Sequence, residues 1–270
     1  MPAAMRVRNK ARWALWGAFG VGWGLLSGTC AAQAGAWTQP NGHGLVITGV
    51  TLSRATSGFD ETGAVIDTPE FAKEDYELYG EYGLTNRLTS IIHTRYTDLH
   101  PEAPGTRASG LAEAELGLRY RLYAGRAGVF ALQATMFAPG GSMALSSGGL
   151  DGEIRLNLGS QFRFWRLTGF LDTGFAYRNR ANDFRDELRS DVTLGLDLTR
   201  RLQALAQSFT VLTIGPGRTN AFEGEMSKAQ LSLLYRLTPH WGVQLGALAT
   251  VSGTAVPRER AGLAALWYRF

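Results

Sequence analysis

Several segments of the chain carry acidic and basic side chains at every second position, with apolar residues between them. In an extended strand, residues two apart share a face, so each segment would present one charged face and one apolar face. Charged groups of both signs on one face can form ion pairs, or they can line a path for a polar solute. The candidates for such a path are Glu113, Glu115, Arg119, Arg121, Glu153, Arg155, Arg189, Asp191 and Arg236.

Catalytic and metal-binding chemistry has little support in the sequence. None of the four histidines, His43, His93, His100 and His240, lies in a convincing context with a nucleophilic serine. No pair of them has the spacing of metal ligands. We therefore predict no catalytic residue, metal or cofactor. A calcium ion held by loop carboxylates stays open as a minor alternative, and these carboxylates are Asp60, Glu61, Asp183 and Asp186.

The alternation is clearest in the segment 111–123. A helix would mix its apolar and charged residues around the surface, whereas a strand separates them completely. The pattern returns at 150–158, 189–198 and 228–237 and predicts an all-β protein. The expected strands are 44–53, 73–84, 87–98, 109–123, 128–137, 149–163, 167–178, 187–198, 202–213, 225–237, 241–251 and 260–270.

The connections between these strands alternate between short turns and longer loops, which include 55–72 and 99–108. This asymmetry is typical of a transmembrane antiparallel β-barrel, with short turns in the periplasm and long loops outside. We expect about 12 strands, with a range of ten to fourteen because 44–53 and 202–213 alternate poorly. A soluble β-sandwich would also alternate and is the main alternative.

The N-terminal region has the pattern of a secretory signal peptide. The apolar stretch 13–26 is shorter than the roughly 20 residues of a membrane-spanning helix. Small residues ending in Ala32-Gln33-Ala34 predict cleavage after Ala34, so 1–34 is the signal and 35–270 the mature barrel. An uncleaved anchor or a lipoprotein modified at Cys30 are the alternatives. The basic residues before the apolar stretch are Arg6, Arg8, Lys10 and Arg12.

Cleavage changes what the composition implies. The sequence pI of about 9.4 reflects residues 1–34, which hold four of the 27 basic residues and no acidic one. The mature chain has 23 basic and 23 acidic residues, so its charge does not predict a nucleic-acid partner. Cleavage also removes the only cysteine, Cys30.

The C-terminus supports a bacterial outer-membrane location. Only helices and closed barrels satisfy all backbone hydrogen bonds in lipid, and 35–270 has no apolar run long enough for a helix. The chain ends on an alternating strand with Tyr268 and Phe270, which resembles the signal recognised by the barrel-assembly machinery. We therefore expect that machinery and outer-membrane lipids as partners.

Both ends of the mature chain resemble a known group of proteins. Gly35-Ala36-Trp37-Thr38-Gln39-Pro40, with Gly42 and Gly44 after it, and the ending 262–270 are similar to small proteobacterial outer-membrane barrels of largely unassigned function. A looser similarity extends to the twelve-stranded barrels associated with uptake of aromatic compounds in meta-cleavage (phenol degradation) pathways. This resemblance implies transport and assigns no binding residue.

The functional expectation is a porin-like, non-enzymatic barrel that forms a narrow channel for passive passage of a small solute. The charged candidates would then line its lumen or constriction. Two alternatives stay open, an outer-membrane enzyme of the lipid hydrolase or protease type and a closed structural or partner-binding barrel.

Overall fold

The computed structural model describes residues 35–102, 107–140, 148–164, 167–217 and 225–270. The predicted signal peptide, residues 1–34, lies outside the described residues. The part of the chain that is described folds into β-strands, and it contains no helix long and apolar enough to cross a membrane.

Twelve long antiparallel strands close into a barrel. Strand β1 (Gly44–Phe59) pairs with β2 (Val65–Gly83) on one side and with the last strand, β13 (Arg260–Arg269), on the other. This pairing closes the sheet. The two-residue β12 pairs with the outer end of β1. The predicted all-β barrel of about 12 strands is confirmed. The strands are β1 Gly44–Phe59, β2 Val65–Gly83, β3 Leu88–Pro101, β4 Ala108–Gly125, β5 Gly128–Pro139, β6 Asp151–Phe164, β7 Leu167–Asn179, β8 Asp186–Asp197, β9 Leu202–Ile214, β10 Met226–Arg236, β11 Trp241–Gly253, β12 Val256–Pro257 and β13 Arg260–Arg269.

The predicted long loop at 55–72 is wrong. Strand β1 continues to Phe59 and β2 begins at Val65, so only a tight turn separates them. Asp60 organises this turn because its Oδ1 accepts hydrogen bonds from the Thr62 amide at 2.8 Å and the Ala64 amide at 2.9 Å. These bonds and one from the Thr62 hydroxyl lower the pKa of Asp60. The sequence did not predict that β1 and β2 extend this far, because polar residues occupy both faces of the first part of β2 and hide the alternation.

The outer and inner faces of the barrel differ as predicted. Large apolar side chains cover the outside, and Leu116 and Leu231 are 64% and 68% exposed. Charged side chains such as Glu81, Asp151 and Arg178 are buried inside. A soluble sandwich would bury its apolar face, whereas this surface is suited to contact with lipid. The protein is therefore a transmembrane barrel.

The start of β1 and the C-terminal residue Phe270 meet at the end of the barrel that carries the short turns. The Gly44 amide donates to the Phe270 carbonyl at 3.0 Å, and the Phe270 amide donates to the Gly44 carbonyl at 3.1 Å. Tyr268 packs between Trp241, with ring centroids 4.5 Å apart, and Phe270, with centroids 5.9 Å apart. Such an aromatic group is typical of a barrel at the lipid interface. Recognition of Tyr268 and Phe270 during assembly stays a prediction.

Candidate functional site: the barrel lumen

The lumen has two chemically different walls. The charged wall is formed by the inward faces of β2 to β8 and carries most of the buried acidic and basic side chains. The neutral wall is formed by the inward faces of β9, β10, β11, β13 and β1. Its central side chains are apolar or carry uncharged amides, and they include Ile47, Leu205, Gln207, Phe209, Gln230, Gln244, Leu263 and Trp267.

A continuous ion-pair network runs across β4, β6, β7 and β8 of the charged wall. Arg178 bridges Glu113 at 2.5 Å and Asp151 at 2.6 Å, and its guanidinium lies 3.8 Å from the centre of the Phe137 ring. Asp151, Glu153 and Glu187 each contact two guanidinium groups, whereas the terminal carboxylates Glu113 and Asp191 each contact one. From Asp151 the network continues through Arg180, Glu187, Arg189, Glu153 and Arg155 to Asp191.

Five of the predicted lumen candidates therefore lie in one network, namely Glu113, Glu153, Arg155, Arg189 and Asp191. The network also contains Asp151, Arg178, Arg180 and Glu187, which are not among the candidates predicted from the sequence. Their alternation in the sequence places them on the inner face. Which of these side chains meet across neighbouring strands depends on the register of the barrel.

The remaining candidates lie elsewhere in the lumen. Glu115 is paired with His93, whose Nδ1 lies 2.8 Å from its Oε1. Arg119 donates to Glu81 at 2.8 Å, nearer the short-turn end. Arg236 lies at the end of β10, where it donates to Asp197 at 3.0 Å. Arg121 is half-buried near the end of β4 and, like Arg236, does not line either cavity described below.

Two adjoining cavities occupy the lumen. One has a volume of about 460 Å³ and is lined by both walls, including Asp172, Trp267 and Gln244 toward the short-turn end. The other has a volume of about 490 Å³ and lies toward the long loops, where Lys73, Lys228 and Glu259 line it. Both cavities share lining residues at mid-depth, namely Thr51, Glu77, His93, Arg155, Arg189, Asp191, Phe209 and Gln230.

The segment 35–43 precedes β1, and we call it the amino-terminal segment. Its first part, 35–39, lies inside the barrel at the short-turn end, and 40–43 are exposed at the rim. Polar contacts hold it to the charged wall. The Ala36 amide donates to Asp172 Oδ2 at 2.7 Å, and the Trp37 carbonyl accepts from Arg119 at 3.2 Å. The side chain of Gln39 donates to Glu81 at 2.6 Å. The sequence did not predict this placement, because the segment has no periodic pattern.

The indole ring of Trp37 anchors the same segment among apolar side chains. It meets the Phe170 ring edge-on, with ring centroids 6.0 Å apart. Around these rings lies an apolar cluster supplied mainly by the neutral wall, which includes Leu45, Leu205, Leu234 and Trp267. The amino-terminal segment therefore connects the two walls and narrows the lumen at this end.

The histidines have structural contacts. His43 and His240 interact through Nδ1 with the carbonyls of Phe270 at 3.2 Å and Arg269 at 2.8 Å. His100 Nε2 lies 3.1 Å from Asp98 at the exposed end of β3, where Arg107 contacts both. Among the described residues, no group of three or more His, Cys, Asp or Glu side chains could hold a metal ion. The loop carboxylate Asp60 instead caps its turn.

Comparison with known proteins gives the class of the barrel. No protein-family model and no curated protein matches the chain. The COG4313 outer membrane channel from Pseudomonas putida F1 is 12% identical, with a TM-score of 0.70 over 89% of this chain and 100% of that chain. The NanC porin is 9% identical, with a TM-score of 0.55 over 82% of this chain and 98% of that chain. The KdgM porin is 7% identical, with a TM-score of 0.50 over 84% and 99%.

These structures share the fold of this chain and are outer-membrane barrels. Together with the closed sheet and the apolar outer surface, the shared fold identifies the protein as a β-barrel of the bacterial outer membrane. The first of these three structures is a channel and the other two are porins.

Proposed function

We propose that the barrel is a narrow channel through which a small polar solute passes passively across the outer membrane. The observation that carries this proposal is the pair of adjoining cavities inside the lumen, lined by charged and amide side chains. A barrel of about eight strands is filled by side chains and one of 16 to 18 strands is an open pore, so a twelve-stranded lumen is intermediate. The channels and porins of similar fold support the same function.

The constriction in this proposal is the mid-depth part of the charged wall. Glu113, Glu115, Glu153, Arg155, Arg189 and Asp191 supply it, and Arg119 acts nearer the amino-terminal segment. Fixed charges of both signs can replace part of the hydration shell of a solute in a narrow path. Because most of these charges are paired with one another, we expect weak selectivity between anions and cations.

Single-channel conductance of residues 35–270 in a planar bilayer tests the proposal. Refolded protein is used only after its heat-modifiable gel migration shows that the barrel has closed. Discrete conductance steps are expected, and Arg155→Ala should change both step size and ion selectivity because it alters the charge at the constriction. Arg236→Ala is the matched control at the rim and should change both much less. Equal effects of the two variants would contradict the proposed constriction.

A closed barrel is the second candidate, favoured by the amino-terminal segment inside the lumen. A chain that begins at Asn41 lacks the contacts of Ala36, Trp37 and Gln39 and distinguishes the two. Steps from both chains, larger in the shorter one, would support a channel narrowed by the segment. Steps only from the shorter chain would support a barrel that the segment closes. No steps from either folded chain would contradict the channel.

A further inference from the structure

The inference concerns Asp172, a carboxylate on the charged wall that is only 6% exposed. Among the described residues, every other buried carboxylate has a lysine or arginine partner, and these carboxylates are Asp75, Glu81, Glu113, Asp151, Glu153, Glu187 and Glu259. Asp172 accepts a hydrogen bond from the Ala36 amide and has no such partner in the described part of the chain. A buried charge without a counter-ion is costly, so a cation at this position would stabilise the barrel.

Gly35 lies directly against this carboxylate. A β-carbon at Gly35 would fall 2.0 Å from Asp172 Oδ2 and 2.2 Å from Oδ1, so no larger residue fits without displacing Asp172. The backbone of Gly35 also has a φ of +151°, a conformation that favours glycine. The residue at which the mature chain is expected to begin is therefore packed against Asp172, which alone among the buried acids of the described residues lacks a lysine or arginine partner.

We propose that removal of residues 1–34 creates the missing counter-ion, because the freed α-ammonium of Gly35 pairs with Asp172 and locks the amino-terminal segment into the lumen. A free α-amine is largely protonated near neutral pH, whereas a peptide nitrogen at the same position carries no charge. The proposal rests on cleavage after Ala34 and does not require that the barrel conducts. Proteolytic processing then adds the ion pair to the contacts that already hold the segment, since an uncut chain offers Asp172 no ammonium.

The start of the natural protein is the first test. Intact-mass measurement and amino-terminal sequencing of protein purified from outer membranes should show a chain that begins at Gly35. A chain beginning at another residue would overturn the proposal, because the ammonium would then lie away from Asp172.

Amine labelling of the folded barrel tests the ion pair itself. The only other amines in 35–270 are Lys73 and Lys228, which are ion-paired in the other half of the lumen and serve as internal references. A small acylating reagent with mass-spectrometric detection should label the α-amine of the wild type about tenfold more slowly than that of Asp172→Asn. The asparagine can still accept the hydrogen bond from Ala36, so the variant removes the charge alone.

Two further proteins test whether slow labelling depends on the pair of the Gly35 amine and Asp172. Asp197→Asn changes a carboxylate at the rim, away from the segment, and should label as slowly as the wild type. A chain with one alanine added before Gly35 keeps Asp172 but moves the ammonium by one residue, and its amine should label as fast as in Asp172→Asn. This chain also gives a result if Asp172→Asn fails to fold. Equal rates in the wild type, Asp172→Asn and the extended chain would overturn the ion pair.

Discussion

The charged wall and the neutral wall enclose the same lumen but are stabilised in different ways. On the charged wall, the ion-pair network compensates buried charges with one another. On the neutral wall, apolar side chains pack around Trp37 of the amino-terminal segment. Side-chain amides donate across strands, from Gln230 to Gln207 and from Gln244 to the Ser232 hydroxyl. The comparison shows that a lumen of this size can be filled partly by electrostatic pairing and partly by a small apolar core. The two walls should therefore respond differently to substitution.

The largest difference is expected at Arg178. Arg178→Met leaves Glu113 without a partner and Asp151 with one partner fewer, which should lower the free energy of unfolding by about 3 to 5 kcal/mol. Gln230→Met is the matched change on the neutral wall, where the side chain donates one hydrogen bond to Gln207 at 2.8 Å. It should cost about 0.5 to 1.5 kcal/mol. Urea unfolding in lipid vesicles measures the free energy of unfolding of both variants. Equal losses in the two variants would contradict the expected difference between the walls.

A second prediction concerns the outer faces, where the two walls should behave alike. Leu116 lies on the outer face of the charged wall and Leu231 on the outer face of the neutral wall. Leu116→Arg and Leu231→Arg should each lower the free energy of unfolding by about 2 to 4 kcal/mol if these sites lie at mid-bilayer depth. Thr193→Arg, on the inner face of β8, is the control and should be tolerated. Urea unfolding in lipid vesicles also measures the free energies of unfolding of these three variants. Clearly unequal losses at Leu116 and Leu231 would show that the difference between the walls extends to the lipid surface.

A smaller effect than at Arg178 or at the outer leucines is expected from one buried hydrogen bond between side chains of the neutral wall. The Trp267 indole donates from Nε1 to Gln244 Oε1 at 2.9 Å, and both side chains are buried. Gln244→Leu leaves this donor unsatisfied and should cost about 1 to 3 kcal/mol. The double variant Gln244→Leu/Trp267→Phe removes donor and acceptor together and should recover part of the loss. A double variant less stable than the single one would mean that packing of the indole ring dominates.

The same contrast explains what could be predicted from the sequence. Strands of the charged wall alternate between charge and apolar residues, so segments such as 111–123 were placed correctly. Strands β1 and β9 alternate poorly because their inward faces carry Leu45, Ile47 and Leu205, which pack in the apolar cluster. Both strands nevertheless form. Their inner faces could be recognised only with the knowledge that Trp37 occupies the lumen beside them.

The site was predicted less completely than the fold. Alternation identifies the face on which a side chain lies but not its depth, so Arg121 and Arg236 were grouped with residues at mid-depth although they lie near strand ends. The partners of Arg178 come from strands that are distant in sequence, and their pairing depends on the register of the closed sheet. The position of the amino-terminal segment depends on contacts that exist only after closure.

The ion-pair network has a consequence for how this protein can evolve. Asp151, Glu187 and Glu153 each contact two guanidinium groups, so the loss of one of these charges removes a partner from the arginines on both sides. Single changes inside the network should be selected against, while paired changes that remove an acid and a base together can be accepted. In a sufficiently deep set of homologues these positions should covary as linked pairs. Glu113 and Asp191, at the two ends of the network, each have a single guanidinium contact, and Asp191, the more exposed of the two, should vary most freely.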